Sequence, residues 1–494
     1  MTMINKKLKL ISVFLSSVIL SMSLSGCENA SNKADYGLDA KNPTTINIWH
    51  YYNGVQQTSF DKMINEFNET VGYEKGIIIE ATSGGSVDEL SEKVLSSLNN
   101  EVGSDTAPNI FAAYAETAYT VDKMGYACDI KKYFTDDELA EYVPNYIEEG
   151  QFSNDGSLKI FPMAKSTEVM ILNATDWQPF ADATGVSTDD LKTWEGLVDV
   201  SEKYYNYTDD LTPDIANDGK SFFGRDSVAN YMVVGAKQLG YDYVTVQDGK
   251  TTATIDETAL RKLWDNYYVP YVKGYFGSQS RFRSDDAKIG KIIALIGSTT
   301  GSAYYPTSVT IDDDYTYPIE SLVLPVPNFE GCDPYIVQQG AGFVVTKADE
   351  KTEYACSIFL KWFTETDRNI ESTISSGYLP VKVDALDFNK ITEINDQSEN
   401  KIGGTLLNTL EIAIDELSTY QPYAAKPYDN CADVRTFLND CMATQAVNVY
   451  DEVCNRIANG EDRNSVIDEY TNDKAFNTWL NYFKSNLESI VNNN

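Results

Sequence analysis

Residues 45–69, TINIWHYYNGVQQTSFDKMINEFNE, set the fold that we expect for this 494-residue chain. The first eight residues alternate apolar and polar side chains and include β-branched residues, which predicts a strand. Asn53 and Gly54 end that strand. Four apolar residues then recur at helical spacing, namely Phe60, Met63, Ile64 and Phe67. A strand that leads through a short turn into an amphipathic helix is the first unit of an α/β domain.

The same alternation of strand and helix continues along the chain. GIIIEATSGG (76–85) predicts a second strand, an apolar stripe from Leu90 to Leu98 predicts a second helix, and PNIFAAYAE (108–116) predicts a third strand. Short connections of this kind imply a parallel sheet with right-handed crossovers. In such sheets the ligand crevice lies beyond the carboxyl ends of the strands. Three segments should therefore share one rim: Trp49–Tyr52, Gly84–Ser86 and Tyr114–Glu116.

A second α/β unit is predicted to begin near LKIFPMAKSTEVMILN (158–173). It continues through an amphipathic helix in LKTWEGLVDVSEKYY (191–205) to a buried strand and a loop of small residues in GKIIALIGSTTGSAYY (290–305). Strand, turn and helix return in YPIESLVLPVPNF (317–329) and QQGAGFVVTKADEKTEYACSIFLKWF (338–363), and mostly helical sequence follows. The predicted fold class is α/β, with two or three globular units.

The N-terminal residues 1–26 have the features of a lipoprotein signal peptide. Three lysines precede the apolar run LISVFLSSVIL (10–20), which is too short to span a bilayer comfortably. Leu24-Ser25-Gly26-Cys27 resembles a bacterial lipobox, which implies cleavage before Cys27 and a diacylglycerol on its sulfur. Residues 27–42 are small and polar, which predicts a flexible tether. We expect the mature chain to lie outside the cytoplasm, anchored to the cell membrane by lipid.

The composition argues against several partners and cofactors. The formal net charge is −35, with 74 acidic and 39 basic residues. Such a field repels nucleic acid and anionic lipid, so we expect no nucleic-acid partner. The seven cysteines include no C-x-x-C pair, and His50 is the one histidine of the chain. We therefore expect no metal and no other cofactor, and mostly buried thiols.

Several segments together resemble the solute-binding lipoproteins of bacterial ABC importers, in the extracellular family whose members bind oligosaccharides and glycerol phosphates. INIWHYYNGVQQTSFDKMINEFNET (46–70) is similar to the first strand and helix of that family, and PNIFAAY (108–114) to its third strand. FPMAKSTEVMILN (161–173) resembles the strand that crosses between lobes. AKIGKIIALIGSTTGSAY (287–304) resembles its loop of small residues. GAGFVVTKADEKTEYACSIFLKWFTETDRNIESTISSGYLPV (340–381) is the best match.

The resemblance implies two α/β lobes joined by hinge strands, with a ligand cleft between the lobes. Lobe 1 is predicted at 43–155 plus 315–366, and lobe 2 at 156–314 plus 367–490. Hinge closure would bury the ligand, and the closed form would be recognised by the membrane subunits of a permease. The resemblance also implies a monomer that performs no catalysis.

The candidate ligand residues at the sheet rim are Tyr51, Tyr52, Ser86, Tyr114 and Glu116. Tyrosine rings offer flat faces to a sugar, and a carboxylate accepts hydrogen bonds from two hydroxyl groups. For Ser86 a plain helix N-cap is the alternative role. His50 needs no function beyond the end of its strand.

The resemblance adds further candidates for the same cleft. Ser166 and Thr167 match the crossing strand, and Thr300, beside Ser298 and Thr299, lies in the loop of small residues. Gly340 matches a glycine whose backbone lines the cleft, and Tyr378 in SGYLP matches a tyrosine at its mouth. Lys426 in PYAAKPY lies where glycerol-phosphate binders carry a cation. Tyr423 and Tyr428 are equally compatible with that position.

Four functions remain open at the level of sequence. The first is a binding protein for an oligosaccharide, and the second is a binder of glycerol 3-phosphate or its diesters, for which Lys426 is the only obvious cation. The third is a surface glycosidase, which would require a pair of carboxylates that no motif singles out. The chain also contains no G-x-S-x-G, H-E-x-x-H or phosphate-loop motif. The fourth is an adhesin or structural surface protein.

Overall fold

The computed structural model describes residues 36–247, 250–312, 315–398 and 401–492. The predicted signal peptide and the lipidation site Cys27 lie outside these residues. Within the described part of the chain, no helix is both long enough and apolar enough to cross a membrane. The described strands are, in chain order, β1 (Thr44–His50), β2 (Ile77–Ser83), β3 (Ile110–Ala113), β4 (Glu168–Asn173), β5 (Phe223–Arg225), β6 (Val244–Gln247), β7 (Lys250–Ala253), β8 (Ala294–Ser298), β9 (Ser308–Asp312), β10 (Tyr315–Pro318), β11 (Ser321–Leu324), β12 (Tyr335–Val337), β13 (Gly342–Val345) and β14 (Gln421–Tyr423).

The helices occupy most of the remaining chain and dominate its last third. The described α-helices are α1 (Gly54–Glu69), α2 (Val71–Lys75), α3 (Val87–Leu98), α4 (Ala115–Lys123), α5 (Asp136–Ala140), α6 (Pro144–Gly150), α7 (Ala174–Thr184), α8 (Trp194–Asp210), α9 (Val228–Gln238), α10 (Glu257–Val272), α11 (Arg283–Lys288), α12 (Glu350–Phe363), α13 (Thr366–Ile374), α14 (Phe388–Gln397), α15 (Gly404–Thr419), α16 (Cys431–Asn439), α17 (Gln445–Ala458), α18 (Arg463–Thr471) and α19 (Asp473–Asn492). Short 3₁₀ turns occur at Ile130–Tyr133, Thr188–Leu191, Thr299–Tyr304 and Val383–Ala385, and a π-helical turn at Asp440–Thr444.

The first lobe is built on a sheet with the strand order β13-β3-β1-β2. β1 is parallel to β2 and β3, as the sequence predicts, and β13 is antiparallel to β3. The predicted apolar stripe from Phe60 to Phe67 is the buried face of α1. α3 buries Leu90 and Val94 in the same core. The carboxyl ends of β1, β2 and β3 therefore share one rim, which faces the second lobe.

The second lobe has a sheet with the order β11-β4-β8-β5, in which all six residues of β4 are buried. Successive side chains of a strand point to opposite faces of the sheet. Because helices cover both faces, every residue of β4 is buried. Met170 and Leu172 pack in a core shared with α7–α10 and the C-terminal helices α17–α19. Val169 and Ile171 pack on the other face against α13, α14 and α15.

The chain crosses between the lobes in short paired segments. The backbone of Ser166 pairs with that of Gln339, and Lys165 pairs with Leu379. The first crossing lies between Met163, in the core of the first lobe, and Val169, in the second lobe. The next crossing lies between Ile336 and Phe343, and the third between Phe363 and Ile370.

Two predicted lobe boundaries differ from these crossings. The sequence placed residues 156–163 in lobe 2, but Leu158, Ile160 and Phe161 pack in the core of the first lobe. It placed residues 315–366 in lobe 1, but β11, which lies in that range, pairs with β4 in the sheet of the second lobe. The sequence could not place β11 correctly, because its pairing with β4 joins segments that are far apart in the chain. No local pattern in either segment indicates which sheet it joins.

The described cysteines are free thiols. Cys128, Cys356 and Cys441 are buried, as expected, and Cys332 and Cys431 are half-buried. Cys454, on α17, is exposed.

Candidate functional site

Four tyrosines lie together where the first lobe meets the segment after α13. Tyr51 and Tyr52 follow β1, Tyr114 is the N-cap residue of α4, and Tyr378 follows Gly377. The hydroxyl oxygens of Tyr51 and Tyr378 are 3.3 Å apart, within hydrogen-bond distance. Burial raises the pKa of all four phenols, and the neighbouring Tyr378 adds to the rise for the other three. The cluster therefore presents uncharged hydroxyls and flat rings at neutral pH.

The loop after β8 holds Tyr378 in this position. Gly377 has a φ of +74°, and a Cβ atom there would lie 2.4 Å from the carbonyl oxygen of Thr299. Only glycine allows the backbone to approach this closely. Thr300 is half-buried in the same loop, and its hydroxyl lies 2.8 Å from that of Ser298. Thr300 thus supports the segment that carries Tyr378.

A cavity of about 420 Å³, the cleft cavity, opens between the lobes beside Tyr114. Its first-lobe wall consists of Val87, Asp88, Tyr114, Ala115, Glu116 and Glu149. Its second-lobe wall includes Asn230, Val233, residues 423–428 and the side chains of α16. The structure thus brings the predicted residues Tyr114, Glu116 and Lys426 together, along with both of the alternatives to Lys426, Tyr423 and Tyr428.

Arg435 and Asn230 are functional candidates that the sequence reasoning missed. Arg435 Nη2 donates a hydrogen bond to Asn230 Oδ1 at 2.7 Å. Asn230 Nδ2 in turn donates to Glu168 Oε1 at 2.9 Å and to Gln339 Oε1 at 3.2 Å. Glu168 is buried and also pairs with Arg225. Asn230 is therefore held in a single orientation, with exposed Arg435 beside it at the wall of the cleft cavity.

The predicted residues Ser166, Thr167 and Gly340 lie in the crossing segments and do not line the cleft cavity. The amide of Ser166 donates to the carbonyl of Gln339 at 2.9 Å, and the reverse bond is 3.0 Å. Gly340 has a φ of +98°, and a Cβ there would lie 3.0 Å from the carbonyl oxygen of Ala164. The geometry fits a role for these three residues in setting the angle between the lobes.

A buried ion pair joins the lobes at the same place. Lys165 Nζ lies 2.7 Å from Glu149 Oε2, and it also donates to the carbonyl oxygen of Gly340 at 2.9 Å. Glu149 also lines the cleft cavity. The charge of Lys165 is thus satisfied within the hinge, while Glu149 connects the hinge to the ligand space.

Two rim residues have structural partners of their own. Ser86 is the N-cap of α3: its hydroxyl accepts from the Glu89 amide at 3.2 Å, and Glu89 Oε2 accepts from the Ser86 amide at 2.7 Å. His50 is buried, its Nδ1 accepts from the amide of Tyr52 at 3.1 Å, and burial lowers its pKa. Each side chain therefore already has a hydrogen-bond partner within the protein.

The cleft cavity is lined by polar groups of several kinds. Carboxylates, an amide, phenols, a guanidinium and an ammonium group converge on one space between two lobes, and rings line part of it. Such a set can hold a ligand rich in hydroxyl groups. Among the residues that the structure describes, no group of three or more His, Cys, Asp or Glu side chains could hold a metal ion.

Two lobes, paired crossing segments and an interlobe cavity define a bilobal solute-binding protein. The sequence profile of the family described as bacterial extracellular solute-binding protein matches residues 62–399. The chain therefore belongs to that family, which confirms the resemblance noted from its motifs and places the protein outside the cytoplasm. No curated protein sequence matches the chain.

Solved structures share the fold at low sequence identity. The cyclic alpha-maltosyl-1,6-maltose binding protein from Arthrobacter globiformis is 17% identical, with a TM-score of 0.65 over 92% of this chain and 100% of that chain. UgpB from Mycobacterium tuberculosis in complex with glycerophosphocholine is 16% identical, with a TM-score of 0.61 over 91% and 99%. An ABC substrate-binding protein from Listeria monocytogenes in complex with cycloalternan is 15% identical, with a TM-score of 0.60 over 90% and 99%. These likenesses confirm the predicted two-lobe α/β fold.

Proposed function

We propose that this protein captures a carbohydrate, namely an oligosaccharide, outside the cell and delivers it to the membrane subunits of an ABC importer. It acts as a monomer, holds no cofactor and leaves its ligand chemically unchanged. A diacylglycerol on Cys27 keeps it near the permease. Family membership supports this function, as does the structural likeness to the cyclic alpha-maltosyl-1,6-maltose binding protein and to the Listeria protein in complex with cycloalternan.

The observation that carries the proposal is a polar interlobe cavity whose wall includes Tyr114, one of the four clustered tyrosines. Sugar rings present apolar faces edged with hydroxyl groups, and they bind where aromatic rings lie beside directional donors and acceptors. Tyr114, Tyr423 and Tyr428 supply rings and phenol groups at the wall of the cleft cavity, and Tyr51, Tyr52 and Tyr378 cluster with Tyr114 without lining the cavity. Asp88, Glu116, Asn230 and Arg435 supply the directional groups around the cleft cavity.

The two-lobe arrangement couples ligand binding to closure of the lobes. Tyr114 and Glu116 belong to the first lobe, whereas Asn230, Lys426 and Arg435 belong to the second. A ligand that contacts both sets is bound more tightly when the lobes are close. It therefore shifts the population toward the closed form by its difference in affinity for the two forms. Ser166, Thr167 and Gly340 are placed to accommodate that motion.

The test is a thermal-shift screen of residues 28–494 against oligosaccharides and glycerol phosphates. A ligand that binds the folded protein alone must raise the midpoint of unfolding. We expect a rise with at least one oligosaccharide series, and unchanged oligosaccharide on recovery. A glycan that is cleaved by the purified protein would overturn the non-catalytic assignment.

The tyrosine cluster has its own test once a ligand is found. Tyr378→Phe removes a hydroxyl that lies 3.3 Å from Tyr51 Oη and keeps the ring. We expect about a three- to tenfold weaker ligand affinity from the loss of one hydrogen-bonding group. Tyr304→Phe is the matched control, because Tyr304 lies in the neighbouring loop and is 75% exposed.

One observation favours a second candidate ligand, a glycerol phosphate or its diester. Arg435 joins Lys426 at the cleft cavity, so the cavity has two cations rather than the single one evident from sequence. Residues at the N-terminus of α16, Cys431 and Ala432, also line it, and helix N-termini favour anions. Asp88, Glu116 and Glu149 line the same cavity and oppose an anion. A thermal shift with glycerol phosphodiesters alone would replace the carbohydrate proposal with this one.

Lipid attachment is tested separately. Cys27→Ser removes the sulfur on which the diacylglycerol would be carried. We expect the variant to be released from the membrane fraction while its ligand affinity stays the same. A variant that remains membrane-bound would contradict the anchor.

A further inference from the structure

A second and larger cavity lies next to the cleft cavity. This outer chamber has a volume of about 590 Å³. The residues that line it and not the cleft cavity include Asn145, Glu148 and Phe152 of the first lobe and Lys237, Asp242 and Tyr335 of the second. Both volumes fall in the range of pockets that hold small-molecule ligands, roughly 300–1,000 Å³. Like the cleft cavity, the outer chamber is walled by both lobes.

The two cavities meet along one loop. Residues 423–428 line both of them, as do Glu149, Val233 and Gln338. The loop is held at its start by the parallel pairing of β14 with β12 and continues into α16. A ligand too long for the cleft cavity would therefore meet the outer chamber as the continuation of the same binding surface.

The outer chamber has a fixed aromatic wall. Tyr423 Oη donates to Asp242 Oδ1 at 3.0 Å, and Lys237 Nζ lies 5.0 Å from the centre of the Tyr423 ring. The Tyr335 ring meets that of Tyr423 edge to face, with centres 6.5 Å apart. Phe152 contributes a half-buried ring from the opposite lobe. Rings held in this way can contact sugar faces without losing further side-chain freedom.

A polar group in the shared wall lacks a partner. Gln338 is 7% exposed, and its Oε1 is buried with no hydrogen-bond donor among the described residues. The nitrogen fixes the orientation of the side-chain amide, because Nε2 donates to the carbonyl oxygen of Asn145 at 3.1 Å and to Glu149. A buried acceptor without a donor is rare, and a small adjustment would let a ligand hydroxyl supply one.

The charges of the outer chamber are largely balanced. Lys237 pairs with Asp242 at 3.1 Å, and Glu149 pairs with Lys165 at 2.7 Å. Glu148 and Lys426 have opposite charges and line the same chamber. A neutral ligand is therefore better matched to this space than an anion or a cation.

From this geometry we infer that the outer chamber is an additional carbohydrate subsite, so the ligand is an oligosaccharide long enough to occupy both cavities. This inference rests on the proposed function. It assigns to Phe152 and Tyr335 the role of stacking on the distal sugar units and to Gln338 that of hydrogen bonding at the junction. The ligand then touches both lobes in two places rather than one.

The experiment compares chain lengths by calorimetry with the soluble protein, residues 28–494. The probes are linear glucan, xylan, mannan and galactan series from di- to hexasaccharide. Tyr335→Ala and Phe152→Ala test the outer chamber. Tyr207→Ala, a half-buried tyrosine on α8 outside both cavities, is the matched control, and thermal unfolding confirms that each variant is folded.

We expect the wild-type affinity to increase by about tenfold or more from disaccharide to the longer members of the series that binds. Tyr335→Ala and Phe152→Ala should each weaken binding of the longer sugars by about tenfold and leave disaccharide affinity within about twofold. Equal affinity for all lengths, or equal weakening of short and long sugars, would overturn the outer subsite while the carbohydrate function stands. Binding of no sugar in any series would overturn both.

Discussion

At the scale of single residues, Gly340 shows how the hinge depends on backbone geometry. Its φ of +98° is unfavourable for other residues, and a Cβ would lie 3.0 Å from the Ala164 carbonyl oxygen. We expect Gly340→Ala to lower the free energy of unfolding by about 1–3 kcal/mol. Gly331→Ala is the control, because Gly331 has a φ of +73° but nothing within 4 Å of the added Cβ.

Urea unfolding of both variants checks the prediction for Gly340. The control should lose less stability, since it bears only the dihedral strain and no close contact. Equal losses for the two variants would mean that the close approach of the crossing segments contributes nothing.

Glu416 makes stability depend on pH. It is fully buried on α15, its Oε1 accepts from the Val326 amide at 2.7 Å, and its Oε2 has no hydrogen-bond partner among the described residues. Burial raises the pKa of this carboxyl well above its ordinary value of 4.5. Above pH 4.5 the unfolded chain releases the proton while the folded chain retains it. The contribution of Glu416 to stability is therefore fully present below that pH and is lost as pH rises.

The measurement compares wild type with Glu416→Gln, which cannot titrate. The free energy of unfolding of the wild type, minus that of the variant, should fall as the pH rises above 4.5. Glu411→Gln, on the exposed face of the same helix, controls for a general effect of removing one negative charge. A pH-independent difference for Glu416→Gln would contradict the raised pKa.

At the scale of elements, Ser86 at the start of α3 could either cap the helix or contact the ligand, and the two roles can be told apart. Ser86 was a ligand candidate from its place at the rim, yet its hydroxyl caps the helix in a reciprocal pair with Glu89. We expect Ser86→Ala to lower the free energy of unfolding by about 1 kcal/mol and to leave ligand affinity within about twofold. Ser86→Asp should keep the stability, because aspartate caps equally well. Weaker ligand binding by a fully stable Ser86→Ala would restore the ligand role.

Periodic sequence patterns predicted the elements well, and they did so for a physical reason. The alternation in TINIWHYY and the stripe from Phe60 to Phe67 directly reflect which side chains are buried in β1 and α1. Arg435 and Asn230 had no such signal. Each is an ordinary polar residue on its own helix, and only the packing of α16 against α9 brings the two to one cavity wall.

At the scale of the whole molecule, the order of the segments predicted two lobes, while the assignment of segments to lobes was less predictable. Residues 315–337 belong to the second lobe, because β11 pairs with β4. That pairing joins residues far apart in the chain, so no local pattern specifies it. The outer chamber was missed for the same reason, since its walls come from segments around Asn145, Lys237 and Tyr423.

An ion pair between the lobes tests whether the ligand favours the relative position of the lobes seen in this structure. Lys123 at the end of α4 lies 2.5 Å from Asp429, which precedes α16, and the side chains are 54% and 41% exposed. An exposed pair contributes little, so we expect Lys123→Ala to weaken ligand affinity by up to about fivefold at low salt. In about 1 M salt, where the screening length is about 3 Å, wild type and variant should bind alike.

Lys192→Ala is the matched control for this comparison, because the exposed ion pair between Lys192 and Asp189 lies within the second lobe. It should leave affinity unchanged at either salt concentration, since an interaction within one lobe is the same whether the lobes are apart or together. A loss for Lys123→Ala that persists at high salt would show that Lys123 contacts the ligand. No loss at low salt would show that the ligand-bound protein closes to a different angle, in which Lys123 and Asp429 no longer meet.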